Sequence, residues 1–305
     1  MDTKKKIAGA LTCTATVTGV LFGETYKFIF CRHEGLLSFL DVKNHMPGYY
    51  EKKQAYRDSF VKRPKMRLTI KNEWGQRLVG YYYCAGKNPC GKIAFVVHGY
   101  RSEHAETAGP IADYYFSRGW DIFACDHASH GESQGEVIGY DYYESLACLH
   151  WLDVLRQKFG QHIQIILHGF SMGGGTVLKM SDRVPSTVKF ICSDSGYSDA
   201  VGMIKPNLGR WYPLFRAANK VIAGYDIEDT DVRGNLVNSR VPVLFIHGED
   251  DPTVPCAMGR ELYALCPTEK DCLFTKGAKH IESIYLYPEA YAAKLDQFIE
   301  KYTKE

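Results

Sequence analysis

Read for its hydrophobic pattern, the chain changes character near residue 66. Downstream, short apolar runs alternate with longer stretches of helical period. The runs are Ile93 to Val97, Asp121 to Cys125, Ile163 to Leu167, Val188 to Cys192, Val243 to Ile246 and Cys272 to Thr275. Between them lie His104 to Arg118, Tyr140 to Phe159, Gly173 to Asp182, Cys256 to Leu265 and finally Pro288 to Tyr302. Uninterrupted β-branched and aromatic runs suit strands buried on both faces, and the βαβα rhythm predicts a parallel sheet flanked by helices. Ahead of the first run, two alternating segments, Arg67 to Ile70 and Leu78 to Tyr83, flank Asn72-Glu73-Trp74-Gly75. That is the pattern of a β-hairpin. Tyr197 to Ser239 separates two strands by more than a crossover needs, which predicts an inserted helical cap over about 197–239. The expected fold is α/β, with about eight mostly parallel strands, an antiparallel N-terminal edge and a cap.

The first 65 residues follow another pattern. Residues 33–65 read as a helical connector, and residues 66–305 as one domain that carries the cap. Within residues 1–32, Lys4, Lys5 and Lys6 precede an uncharged stretch from Ile7 to Gly23. These 17 residues, diluted by four threonines, are near the lower limit of about 17–25 for a membrane span. The expectation is a membrane anchor over residues 7–23, with the leading lysines placing the rest outside the cytoplasm. Two alternatives stay open: a cleaved signal, for which no small-x-small site is evident, or a helix packed on the domain, with a secreted or cytoplasmic protein.

Composition narrows the classes. Lys and Arg number 37 against 35 Asp and Glu, a net charge of +2 without a concentrated basic surface, so no nucleic-acid partner is expected. The ten cysteines are scattered without a C-x-x-C pair, and several sit in apolar runs; they read as buried free thiols. No zinc-type Cys/His spacing and no G-x-G-x-x-G after a strand occur, so no metal and no nucleotide cofactor are expected.

The chemistry concentrates at Gly169-Phe170-Ser171-Met172-Gly173, directly after one apolar run and directly before a helical pattern. A serine on a sharp strand-to-helix turn needs neighbours without side chains, and the turn lifts its Oγ above the sheet. Here the chain resembles the α/β-hydrolase family, from about Met66 to the C-terminus. The family orders its triad as nucleophile, acid, histidine. His247-Gly248-Glu249-Asp250-Asp251-Pro252-Thr253-Val254-Pro255 is similar to the family's H-G-x-x-D-x-x-V-P loop, which places the acid at Asp251. Asp250, its neighbour, and Asp194, after an earlier strand, are alternatives. Downstream of Asp251 the chain contains a single histidine, His280. The resemblance implies Ser171 as nucleophile, His280 as general base and Asp251 as supporting acid.

The resemblance also implies an oxyanion hole from the backbone N–H groups of Tyr100, after His98-Gly99, and of Met172. His98 reads as a loop-orienting residue. Asp126-His127-Ala128-Ser129-His130-Gly131-Glu132-Ser133 is similar to the family's D-x-R-G-H-G-x-S loop, with Ala-Ser in place of Arg-Gly, and reads as scaffold. In the cap, Trp211, Tyr212, Pro213, Leu214 and Phe215 stand among Lys205, Arg210, Arg216 and Lys220. These apolar residues either bind an acyl chain or pack the cap onto the domain. The expected activity is hydrolysis of a carboxylic ester, small or lipid-like (acylglycerol or lysophospholipid), through an acyl-serine and without a cofactor. The alternatives are a peptidase of the prolyl-oligopeptidase kind, ranked second for want of a propeller, and a non-catalytic binding protein on the same fold.

Overall fold

The computed structural model describes residues 19–32 and 45–303. Its eight strands are β1 (Met66–Lys71), β2 (Arg77–Tyr83), β3 (Lys92–Val97), β4 (Asp121–Asp126), β5 (Gln164–Phe170), β6 (Val188–Asp194), β7 (Val243–Gly248) and β8 (Lys270–Thr275). They form one sheet in the order β1-β2-β4-β3-β5-β6-β7-β8. β1 pairs antiparallel with β2, and β2 with β4. From β4 to β8 every pairing is parallel. The apolar runs are buried because both faces of this parallel region are covered.

One face carries α4 (Tyr142–Phe159), α5 (Met172–Lys179), α8 (Arg233–Leu236) and α9 (Cys256–Leu265), whose apolar side chains meet Phe95, Phe123, Leu167 and Phe245. The other carries α2 (Tyr49–Val61), α3 (His104–Ser117) and α11 (Pro288–Tyr302), packed on Val96, Ala124, Phe190 and Leu244. A short α10 (Ser283–Leu286) precedes α11. Between β6 and β7 the chain makes the predicted helical insertion, with α6 (Ala200–Leu208) and α7 (Tyr212–Ile222) followed by a 3-10 turn at Ile227–Thr230 and α8. α7 is strongly amphipathic, with Tyr212, Phe215 and Asn219 facing inward.

The membrane-anchor expectation is overturned. Residues 7–18 of the proposed span lie outside the described residues. Residues 19–23 are helical and belong to α1, described over residues 19–30, which lies on the cap. Among the described residues no helix is long and apolar enough to cross a membrane. Several side chains of α1 pack on the domain instead, while Val20 and Leu21 are exposed. Phe22 meets Phe215 with ring centroids 4.4 Å apart, and buried Tyr26 and Phe30 are 4.9 Å apart. Tyr26 Oη donates to Asn219 Oδ1 at 3.2 Å. Past the helix, Ile138 N–H donates to Phe30 O (2.8 Å) and Arg32 N–H to Glu136 O (2.8 Å). The extracytoplasmic placement rested on that anchor and falls with it.

Candidate active site

Ser171 sits between β5 and α5 at φ 56° and ψ −122°, a conformation that a side-chain-bearing residue adopts only when its surroundings impose it. The neighbouring glycines show why. A Cβ on Gly169 would lie 2.0 Å from Gly173 O, and one on Gly173 would lie 2.1 Å from Val97 O. The turn is pinned from both sides: Ser171 N–H donates to Asp194 O (2.8 Å), and Gly175 N–H donates to Ser171 O (3.1 Å). Ser171 is left half-buried at the C-terminal edge of the sheet, where the crevices of α/β sheets form.

Two loops at the same edge complete the cluster. His280, after β8, places Nε2 2.8 Å from Ser171 Oγ. Its Nδ1 lies 2.7 Å from Asp251 Oδ2. A carboxylate can only accept, so Nδ1 carries the proton and Nε2 presents its lone pair to the serine hydroxyl. Asp251 is itself fixed, because its Oδ1 accepts the N–H groups of Thr253 (2.8 Å) and Val254 (2.9 Å). Burial raises the pKa of Asp251, but hydrogen bonds from His247 and His280 and the Val254 N–H outweigh it and hold the carboxyl well below the usual range. Asp250, the neighbouring alternative, points to the exposed side of the loop.

Asp194, the other alternative acid, belongs to a second network. Its Oδ1 accepts Ser195 Oγ–H (2.9 Å), and its Oδ2 accepts Tyr291 Oη–H (2.8 Å). Tyr291 Oη lies 2.9 Å from His168 Nε2, and His168 Nδ1 lies 2.9 Å from Tyr115 Oη. Burial holds His168 at about 3, so the ring is neutral. Tyr291 has given its only proton to Asp194, so His168 donates from Nε2 and accepts from Tyr115 at Nδ1. This buried chain reaches the histidine loop through Ser195 Oγ, which accepts the N–H of Ile281 at 3.3 Å. Ile281 has φ 57°, an unusual value for a β-branched residue. Burial also raises Asp194 itself, to about 6.

Met172 is the first residue of α5, where a backbone N–H has no intrahelical acceptor. Gly99 approaches Ser171 closely, since a Cβ there would lie 3.0 Å from Ser171 Cβ, and Tyr100 follows it. His98 accepts the His127 N–H at Nε2 (3.0 Å), and its Nδ1 lies 2.8 Å from Gly99 O. Asp126 accepts from His104 N (3.0 Å) and Glu132 N (2.9 Å), which closes the loop after β4 without the family's arginine.

The sequence missed two features around this cluster. Tyr100 Oη donates toward Phe28 O (3.0 Å) and Ile29 O (2.9 Å), so the loop after β3 holds the C-terminal end of α1. Glu282 accepts Lys279 N–H (3.0 Å) and Met46 N–H (2.5 Å), tying the start of the α2 segment to the His280 loop. Neither carries a local motif. Of the large apolar cap residues, Tyr212 and Phe215 are buried in an apolar cluster that includes Met172, Val254, Tyr26 and Phe30, whereas Trp211 and Leu214 are about half exposed. Arg216 and Lys220 pair with Asp226. A cleft of about 1030 Å³ between the β1–β2 hairpin, the 131–137 loop and the end of α7 contains none of Ser171, Asp251 or His280.

Residues 88–231, which span the serine elbow and end before Asp251 and His280, match the family described as "Serine aminopeptidase, S33". Among curated relatives, YqkD of Bacillus subtilis is 22% identical over 303 residues, covering 96% of this chain and 95% of its own. Among solved structures, the esterase Pf2001 of Pyrococcus furiosus superposes with a TM-score of 0.63 at 18% identity, covering 86% of this chain and 95% of its own. A puromycin-hydrolyzing peptidase of Mycobacterium tuberculosis has a TM-score of 0.62 at 15% identity, over 80% of this chain and 40% of its own. The match across the elbow supports catalytic activity of the serine-hydrolase kind, and the structural likenesses show that the chain has the α/β-hydrolase fold.

Proposed function

We propose that the protein hydrolyses an acyl bond through an acyl-Ser171 intermediate. The observation that carries this is the continuous relay from Ser171 Oγ through His280 to Asp251, at 2.8 Å and 2.7 Å. In this mechanism Ser171 Oγ attacks the substrate carbonyl as its proton passes to His280 Nε2. Asp251 stabilises the imidazolium and fixes the tautomer without taking the proton. The N–H groups of Met172 and Tyr100 receive the developing oxyanion. His280 then protonates the leaving group, and a water deprotonated by His280 releases the acid and restores the serine.

The leaving group is an alcohol or an amine. The matched family is described as a serine aminopeptidase, and one structural neighbour as a puromycin-hydrolyzing peptidase. An aminoacyl amide therefore stands ahead of an acylglycerol or lysophospholipid as the natural substrate, with simple carboxylic esters turned over by the same machinery. The test is fluorophosphonate labelling of the full-length protein beside Ser171→Ala, followed by a panel of short p-nitrophenyl esters, long-chain monoacylglycerols and aminoacyl p-nitroanilides. Labelling confined to the wild type, with anilide turnover above monoacylglycerol turnover, is the expected result. Labelling that survives in Ser171→Ala would remove the nucleophile assignment. A preference for monoacylglycerols would reverse the order of substrate classes.

A further inference from the structure

We propose that Cys125, His127 and Cys148 form a binding site for a thiolate-seeking divalent ion of the Zn²⁺ class, set behind the loop that carries His98, Gly99 and Tyr100. The two-residue period of a strand puts Cys125 and His127 on one face of β4 and its extension, and α4 brings Cys148 onto that face. The two sulfurs and one imidazole nitrogen all lie within 4.8 Å of one another, and all three residues are buried. Three protein ligands would fill three corners of a zinc tetrahedron, whose edges are roughly 3.5–4 Å, with a water at the fourth, so side-chain shifts of about 1 Å close the set.

The histidine is already in the form a metal requires. Its Nε2 lies 3.2 Å from His98 O, and a carbonyl can only accept, so Nε2 carries the proton. The lone pair is then on Nδ1, a buried atom with no hydrogen-bond partner among the described residues. An orphaned buried acceptor is costly as a mere piece of core.

Binding balances simply: one divalent cation enters and both thiol protons leave. Two thiolates, a neutral imidazole and a divalent ion sum to zero charge, which suits a buried site. The set holds no carboxylate or carbonyl ligand, so hard ions such as Ca²⁺ and Mg²⁺ are poorly matched. The Nε2–H bond to His98 O would be the outer contact that orients the metal-bound histidine. A filled site therefore braces the loop that precedes Tyr100.

Full-length protein produced in zinc-supplemented medium and desalted is assayed for metal by plasma mass spectrometry, beside Cys125→Ala, Cys148→Ala and the exposed-cysteine control Cys90→Ser, with folding followed by circular dichroism. The expected result is about one zinc per chain in the wild type and the control, and at least a tenfold loss in both core variants. Co²⁺ in the wild type should give a thiolate charge-transfer band in the near ultraviolet, a readout that survives if a variant does not fold. A wild type carrying less than a tenth of an equivalent, zinc retained equally by a folded core variant, or no charge-transfer band would each overturn the site. None of these measurements depends on the assignment of Ser171.

Discussion

At the scale of single residues, the decisive choice lies between two adjacent carboxylates. Asp251 and Asp250 share a loop and a charge, yet one is held by two backbone N–H groups against His280 while the other is exposed. Asp251→Asn would place an amide N–H against Nδ1 and drive the imidazole into the wrong tautomer, so kcat should fall by roughly 10⁴. Asp250→Asn should stay within about threefold of wild type, since an exposed loop carboxylate contributes little. Steady-state kinetics on a p-nitrophenyl ester separate the two; equal losses would mean that the acid is misassigned. The same contrast shows how far local sequence reaches. The register of His247-Gly248 to Val254-Pro255 pointed to Asp251, and the tertiary contacts give the physical reason: only that residue's carboxylate is turned inward.

At the scale of elements, the ends of β5, β6 and β7 and the loop after β8 are bound to one another through Asp194 and Ser195. Asp194 O accepts the N–H of Ser171, Ser195 N–H donates to Ile246 O, and Ser195 Oγ accepts the N–H of Ile281. The carboxyl of Asp194 is buried and raised from its ordinary 3.8 to about 6. Between about pH 4 and pH 6 the folded state holds a proton that the unfolded chain has released. Stability contributed at this position is therefore greatest below about pH 4 and is lost as pH rises toward 6, by on the order of 3 kcal/mol. Asp194→Asn cannot titrate, and Tyr291 and Ser195 can reorient their hydroxyls toward an amide. Urea denaturation at pH 4 and pH 7 should show the wild type losing stability relative to Asp194→Asn over that interval. A constant difference between the two would mean that Asp194 is ionised throughout. The elbow at the end of β5 was legible in advance because its constraint is local: glycines two residues either side of the serine. The Asp194 chain was not, because Tyr115, His168, Asp194 and Tyr291 belong to four elements and only the sheet order brings them together.

At the scale of the whole molecule, α1 is joined to the body at its cap, at the loop after β3 and at the 136–138 segment. Phe30 is 1% exposed in the cluster that also holds Met172, the residue after Ser171. Removing a buried phenyl ring costs about 3–5 kcal/mol when its surroundings do not collapse, so Phe30→Ala should lower unfolding stability by about 3 kcal/mol. A loss below about 0.5 kcal/mol in urea denaturation would mean that α1 does not dock in solution. This is also where sequence pattern failed most plainly. An uncharged stretch behind three lysines has the composition of an anchor, and composition does not say what Phe22, Tyr26 and Phe30 at and beyond its end will meet. Phe215, Tyr212 and Ile138, which help to bury α1, lie more than a hundred residues downstream.

The sequence by itself determined the layered α/β architecture, the hairpin edge, the cap insertion and the elbow. Each of these is written in a local period or spacing that backbone sterics and burial force on any chain. Only the tertiary structure decided where α1 goes, that Tyr115, His168, Asp194 and Tyr291 meet in one chain, and that His127 converges with Cys125 of β4 and Cys148 of α4 behind the loop after β3. Those outcomes depend on contacts between residues far apart in the chain. Such contacts exist only after the sheet order has set which elements are neighbours.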